Sequence, residues 1–287
     1  MWNEIADRIS QASGQHFQVQ ESRRVGGGCI NDSYVIGDGT CRYFVKLNQP
    51  NLLEMFTAEA AGLEELDRTK TISVPQVVCS GVISSHSYLV LTYLDLENSS
   101  GANWQQLGQQ LAALHQASVP PQFGWHRSNN IGSTPQLNHW SEDWAQFFSK
   151  WRLGYQLELA GLSKFPQGQP LLAAIPKLLN HQPAVSLVHG DLWGGNAGFI
   201  TTGQPVIFDP ATHYADREVD LAMTKLFGGF PAAFYQGYEE VYPLAAGYQQ
   251  RQVIYNLYHV LNHYNIFGGS YLSQANSSIA KILSWVK

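Results

Sequence analysis

The chain has 287 residues, 44% apolar and 14% charged, which is enough apolar surface for one large or two ordinary cores and argues against a disordered chain. Seventeen Lys and Arg against twenty-two Asp and Glu leave a net charge of −5, with no basic cluster to neutralise a row of phosphates, so nucleic acid and anionic membrane surfaces are disfavoured as partners. Three scattered cysteines (Cys29, Cys41, Cys79), an acidic N-terminus MWNEIADRIS unlike a signal peptide, and the lack of a long apolar run predict a protein of a reducing, cytoplasmic setting with no membrane span.

From Gln15 to Leu47 the segments FQVQ, SYVIG and CRYFVKL alternate on a two-residue period, broken by Gly-rich turns at 26–28 and 37–39, and predict three antiparallel strands. Leu52, Leu53, Phe56, Ala60, Leu63 and Leu66 then recur at helical spacing, predicting a helix over 51–68. PQVVCSGVI and SYLVLTYL add two strands, so that a five-stranded sheet closes near residue 93. DLENSSGAN (95–103) reads as a connector, dividing the chain into a β-rich lobe, 1–94, and a larger, mainly helical lobe, 95–287.

In the second lobe Trp104, Leu107, Leu111 and Leu114 form one helical stripe, and Trp140, Trp144, Phe147, Phe148 and Trp151 another, read as a core face without a ligand. Strand signal returns only at VSLVHG and PVIFD, and helices resume from Arg217, with NLYHVLNHYNIF (256–267) amphipathic. His259 and His263 have the i, i+4 spacing of zinc ligands, but Val260 stands where a metalloprotease needs Glu, which leaves core or substrate-pocket histidines.

The chemistry concentrates in SLVHGDLWGGNAGFI and the following PVIFDP. Asp191 precedes Asn196 by five residues and Asp209 follows Asn196 by thirteen, on a strand, a loop and a second strand. This pattern suits phosphoryl transfer: one acid receives a hydroxyl proton while the amide and the second acid hold Mg²⁺ through oxygen. The first lobe supplies a complementary set. VGGGCIN places Gly26, Gly27 and Gly28 in a turn between strands, Lys46 ends YFVK, and Glu59 lies thirteen residues on, in the helix. A Gly turn over ATP phosphates, a Lys on their oxygens and a Glu orienting that Lys work as a unit.

HGDLWGGN, DPATHYADREVDLAM, LFGGF, LYHVLNHYNIFG, GGGCIN, FVKLN, NNIGSTPQLN and the W-x2-LG-x2-LAALH helix together closely resemble the fructosamine (ketosamine) kinase family, within the aminoglycoside-phosphotransferase and protein-kinase-like small-molecule kinases. The resemblance spans essentially the whole chain. It implies an α+β bilobal kinase-like fold with a five-stranded antiparallel first lobe, ATP in the cleft with adenine against the backbone near Thr92 and Leu94, Mg²⁺ on Asn196 and Asp209, and Asp191 as catalytic base. It implies as substrate a ketosamine, free or on a glycated lysine side chain, phosphorylated on the sugar's 3-hydroxyl so that the adduct becomes labile. Asp220 of DREVDLAM then falls where this fold has a helix carboxylate bracing the catalytic loop. Six residues separate Asp209 from Asp216, too few for an activation segment, so a protein hydroxyl is not the expected acceptor.

Trp193, Asp216 and His263 are the candidates for the substrate side. Cys29, alone among the cysteines in a Gly-rich turn, is the candidate redox thiol and could link a homodimer. Two rivals stay open: a kinase of aminoglycosides or other amino alcohols, and a nucleotide-binding pseudokinase. The full set of Lys46, Glu59, Asp191, Asn196 and Asp209 argues against the second.

Overall fold

The computed structural model describes residues 1–26, 30–97 and 100–286. Gly27, Gly28 and Cys29, expected over the phosphates and as a redox thiol, lie outside the described residues. The chain opens with a helix, α1 (Trp2–Ser13), whose Ile5, Ala6 and Ile9 fall on one face and are buried. Gly14, at φ +69°, ends it in the left-handed conformation and donates its N–H to the Ser10 carbonyl.

The strands β1 (Glu21–Val25), β2 (Asp32–Gly37) and β3 (Arg42–Asn48) come next, then the helix α2 (Leu53–Arg68), then β4 (Val77–Ile83) and β5 (His86–Thr92). All five strands form one antiparallel sheet in the order β1-β2-β3-β5-β4. Its first strand is not FQVQ (17–20) but ESRRV, an edge strand exposed along most of its length. Phe17 of FQVQ is buried beside Tyr43 instead, anchoring the approach to the sheet. Alternation along β3 sets the direction of its lysine: Val45 and Leu47 join Ile5, Ile9 and Val90 in a core under α1, so Lys46 points from the opposite face. On that face Phe44 packs against the cluster containing Phe56 and Leu63 of α2.

Past residue 100 the chain is mainly helical, with α3 (Gly101–His115), α4 (Trp144–Phe147), α5 (Tyr155–Ala160), α6 (Gly168–Leu178), α7 (Glu218–Met223), α8 (Ala232–Val241), α9 (Tyr248–Phe267) and α10 (Tyr271–Leu283). A π-helical stretch, Phe148–Gly154, joins α4 to α5. Trp144, Phe147 and Phe148 are buried in the core formed with α6, α9 and α10, and Trp151 packs against it. Trp140, expected in the same stripe, lies outside the helix, 43% exposed and stacked on Tyr214.

Short strands run between these helices: β6 (Asn129–Ile131), β7 (Thr134–Gln136), β8 (Val185–Val188), β9 (Ala197–Phe199), β10 (Pro205–Ile207) and β11 (His213–Asp216). They pair as three antiparallel ladders, β6 with β7, β8 with β11 and β9 with β10. The β6–β7 hairpin corrects the expectation of a strand-free stretch there; its strands are three residues each and largely polar, so apolar alternation could not reveal them. Among the described residues no helix is long and apolar enough to cross a membrane.

Candidate active site

The strand β8 is VSLV, inward-facing and paired to β11, and it delivers the loop 189–196. Gly190 has φ +83°, and a β-carbon on it would meet the Ala211 carbonyl oxygen at 2.2 Å, so no other residue fits. The loop is held from beneath by Asp220 of α7, which is fully buried. Its carboxylate accepts the backbone N–H groups of His189 and Gly190, both at 2.8 Å, and a hydrogen bond from His115 at 3.1 Å. Burial alone would raise this carboxyl's pKa, but the bonds from His115 and the loop amides hold it below its ordinary value.

His189 ties this loop to the next one. Its Nε2 donates to the Phe208 carbonyl at 2.9 Å, and its own carbonyl accepts the Ala211 N–H at 2.9 Å. Between those anchors stands Asp209, at φ +57°, a left-handed conformation costly for a residue with a side chain and sustained only where the surroundings impose it. Asn196 closes the triangle. Its Nδ2 donates to the Asp191 carbonyl at 2.8 Å, to Asp191 Oδ2 at 3.3 Å and to the Asp209 carbonyl at 3.4 Å. With the amide nitrogen committed, Asn196 Oδ1 accepts no hydrogen bond among the described residues. Burial, and then the Asp209 carboxylate, push Asp191 up to about 7, against the hydrogen bond from Asn196.

Lys46 reaches this triangle across the cleft. Its Nζ lies 2.6 Å from Glu59 Oε1 and 2.6 Å from Asp209 Oδ1, and its side chain is 5% exposed. Burial opposes the charge on the ammonium, but the Asp209 and Glu59 carboxylates outweigh it and raise the pKa. The β3 lysine, the α2 glutamate and the loop aspartate therefore meet although Lys46 and Asp209 are 163 positions apart.

Two cavities share this junction. One, of about 560 Å³, runs under the sheet and is bounded by Gly26, Thr92, Leu94, Asn196 and Asp209. The other, of about 190 Å³, is bounded by Lys46, Glu59, Asn130, Asp191 and Pro210. Trp193 borders both; it is 38% exposed and meets Phe227 edge to face, with centroids 6.4 Å apart. Phe227 lies 4.7 Å from His263, so His263 stands one ring behind Trp193, half-buried, with Nδ1 bonded to the His259 carbonyl.

Asp216 is not in the cleft. It is 2% exposed, accepts the Tyr255 hydroxyl at 2.6 Å, pairs with His181 at 2.7 Å and caps the start of α7 through the Glu218 N–H. A carboxylate so fully engaged braces a helix and has nothing left for a substrate. His259 is likewise buried. Sequence reasoning assigned no role to Asn129 and Asn130 on the cleft wall; both stand in NNIGSTPQLN, which shares in the family resemblance and is dense in side-chain amides but singles out neither residue.

The donor set fits a divalent cation. Asp209 and Asn196 offer hard oxygens, the second turned nitrogen-inward by its three hydrogen bonds, as Mg²⁺ requires of its ligands.

Comparison with known proteins agrees with this geometry. The family described as fructosamine kinase matches residues 1–285. A probable ketoamine kinase of Synechocystis sp. is 54% identical over 285 residues, 98% of this chain and 97% of that protein. The solved structure of a candidate fructosamine-3-kinase from Haemophilus somnus superposes with a TM-score of 0.90 at 32% identity, over 99% of this chain and 98% of that one. A spectinomycin phosphotransferase solved with ADP and spectinomycin has a TM-score of 0.59 at 17% identity, over 99% of this chain and 92% of that one. That likeness shows the fold alone, the α+β bilobal arrangement of kinase-like phosphotransferases.

Proposed function

The chain belongs to the fructosamine kinase family, and from that membership we propose that its cleft carries the γ-phosphate of ATP to the 3-hydroxyl of a ketosamine, the 1-amino-1-deoxyketose left when a sugar glycates an amine. It is a small-molecule kinase acting in deglycation. A phosphate on C3 is a leaving group: once a C1 proton is lost and the C1–C2 enol forms, phosphate departs from C3, and water hydrolyses the resulting imine at C1 to free the amine.

The observation that carries this reading is the convergence of Lys46, Glu59 and Asp209 at 2.6 Å contacts, beside Asp191 and at the meeting of two cavities. The larger cavity takes the nucleotide, its adenine along Thr92 to Leu94 and its phosphates toward Lys46. Glu59 fixes the Lys46 ammonium, which moves from Asp209 to the phosphate oxygens as the nucleotide enters. Asn196 and Asp209 would hold Mg²⁺, which neutralises charge developing on the phosphates. The smaller cavity takes the sugar, so that Asp191 accepts the proton of the 3-hydroxyl as that oxygen attacks. Trp193 offers an indole face to the protonated amine, a cation–π contact of about 0.5–2 kcal/mol. The described cysteines, Cys41 and Cys79, are free thiols, in keeping with the reducing, cytoplasmic setting we propose.

ADP release measured with a synthetic fructosyl- or ribulosyl-lysine, with kanamycin and with choline tests the reading. Turnover with the ketosamine alone is expected. Turnover with kanamycin or choline instead would transfer the chain to the rival class, and ADP binding without turnover on any acceptor would make it a pseudokinase.

A further inference from the structure

The β6–β7 hairpin ends in polar side chains that the phosphotransfer scheme does not use. Asn129, Gln136 and Asn138 are 7%, 1% and 2% exposed, and Arg152 beneath them is 1% exposed. Their hydrogen bonds have one direction. Arg152 donates to Asn138 Oδ1 at 2.6 Å, Asn138 Nδ2 donates to Asn129 Oδ1 at 2.8 Å, and Asn129 Nδ2 donates to the Thr212 carbonyl at 2.9 Å. In parallel the Tyr258 hydroxyl donates to Gln136 Oε1 at 2.8 Å, and Gln136 Nε2 donates to Asn129 Oδ1 at 2.9 Å and to the Ala211 carbonyl at 3.0 Å. A cation and a phenol thus orient two amides whose outward N–H groups end on consecutive carbonyls just past Asp209 and Pro210.

The Ala211 carbonyl is a sensitive place to hold. It is the atom that a β-carbon on Gly190 would strike, so it sits against the residue preceding Asp191. It stands where the two carboxylate loops meet, two residues beyond Asp209, whose φ is +57°. Buried amides in such a network are fully satisfied or costly, which makes their geometry stiff.

We propose that Gln136 and Asn129 are positioning residues that fix Asp209 relative to Asp191 through the Ala211 and Thr212 carbonyls, the hairpin serving where a longer segment after the metal-binding aspartate is absent. This rests on the kinase reading above, in which Asp209 holds the cation.

The test compares ADP affinity by calorimetry with and without Mg²⁺, alongside the Mg²⁺ dependence of kcat. In Gln136→Met, close in size but lacking the amide, Mg²⁺-free ADP affinity stays at the wild-type value. Of the three hydrogen bonds lost, the one that reaches the Ala211 carbonyl sets the effect: the gain that Mg²⁺ gives falls about five- to tenfold, the worth of one buried hydrogen bond, and the Mg²⁺ needed for half-maximal kcat rises in step. Tyr258→Phe, which removes only the hydroxyl orienting Gln136, shows the same change at smaller size. Should Gln136→Met fail to fold, Tyr258→Phe decides. A lowered melting temperature with an unchanged Mg²⁺ gain in the folded variants overturns the proposal, reducing the network to packing. A wild-type protein that shows no Mg²⁺ gain overturns the kinase reading itself.

Discussion

Gly62 and Thr212 press against each other so closely that a β-carbon on the glycine would meet the threonine Oγ1 at 2.8 Å and its Cβ at 3.1 Å. Gly62 stands one turn beyond Glu59 on α2, and Thr212 stands three residues beyond Asp209, so this contact joins the helix of the first lobe to the metal-side loop of the second. Around it Glu65 accepts the Trp125 indole N–H at 2.7 Å and the Tyr214 hydroxyl, and Arg127 reaches Glu54 at 3.1 Å and the Thr57 carbonyl at 3.3 Å. The α2 helix is fastened to the second lobe along its length, and that fastening holds Glu59 at 2.6 Å from Lys46.

Gly62→Ala tests that fastening because two effects compete. In a helix interior alanine is favoured over glycine by about 1 kcal/mol, whereas overpacking against a buried threonine costs about 1–3 kcal/mol. The closeness of the contact decides for overpacking: the melting temperature falls, and KM for ATP rises as α2 is pushed outward and Glu59 draws off Lys46. A more stable variant with unaltered KM would show that the interface has slack.

Asp191 and Asp209 predict opposite phenotypes. Asp191→Asn keeps the hydrogen bond from Asn196 but has no carboxylate for the acceptor proton, so kcat falls ~10²–10⁴-fold while Mg·ATP affinity by calorimetry stays near wild type. Asp209→Ala loses Mg²⁺-dependent nucleotide affinity. Near-normal kcat in the first variant, or unchanged Mg·ATP affinity in the second, would contradict the assignment.

Much of this site was legible in the sequence because each part carries a local pattern: Lys46 lies on an alternating strand, Glu59 is fixed by helical spacing, and Asp191, Asn196 and Asp209 flank apolar strands. The fold was less legible where apolar alternation is absent. The strand β1 is ESRRV, charged as an exposed edge strand tends to be, and the neighbouring FQVQ carried the stronger pattern although it is not a strand. The helix α1 has Ile5 and Ile9 one turn apart, but two isoleucines among mostly polar residues make a weak helical pattern. Asp216 stands in DPATHYADREVDLAM beside the site, but nearness in that motif does not tell that its carboxylate is engaged by His181, Tyr255 and the Glu218 N–H. The polar hairpin carrying Asn129 and Gln136 left no periodic trace.

Trp193 carries a third prediction. An indole 38% exposed contributes less to packing than a buried one, so Trp193→Ala leaves the melting temperature nearly unchanged. It borders the smaller cavity together with Asp191, with Phe227 and His263 behind it, and in the proposed function that cavity takes the ketosamine. Steady-state kinetics then show a raised KM for the ketosamine, about three- to tenfold if the cation–π contact is worth roughly 1 kcal/mol, with a smaller change in KM for ATP. Equal changes in both, together with a large loss of thermal stability, would return the residue to a packing role.

His259 supplies a pH dependence whose sign is set by burial. The ring is 4% exposed, its Nδ1 has no partner among the described residues, and burial, then the neighbouring His263, lower its pKa to about 3 despite the Asp220 carboxylate; Arg152 pushes the same way as His263. In the unfolded chain the same group titrates near 6.5. Between these values the unfolded state binds the extra proton, so the stabilisation is complete above about pH 6.5 and is lost as pH falls. The loss is about 1.4 kcal/mol per pH unit, or about 2 kcal/mol at pH 5. Glu59 and Glu218, whose pKa values burial raises, act in the opposite direction, so the wild-type curve alone does not isolate the histidine. Comparison with His259→Gln does, because the substitution removes one titrating group and leaves the carboxylates in place. Between pH 7 and pH 5 the melting temperature of the wild type should fall roughly 4 °C further than that of the variant; parallel curves would mean that His259 takes up its proton in the folded protein as readily as in the unfolded chain.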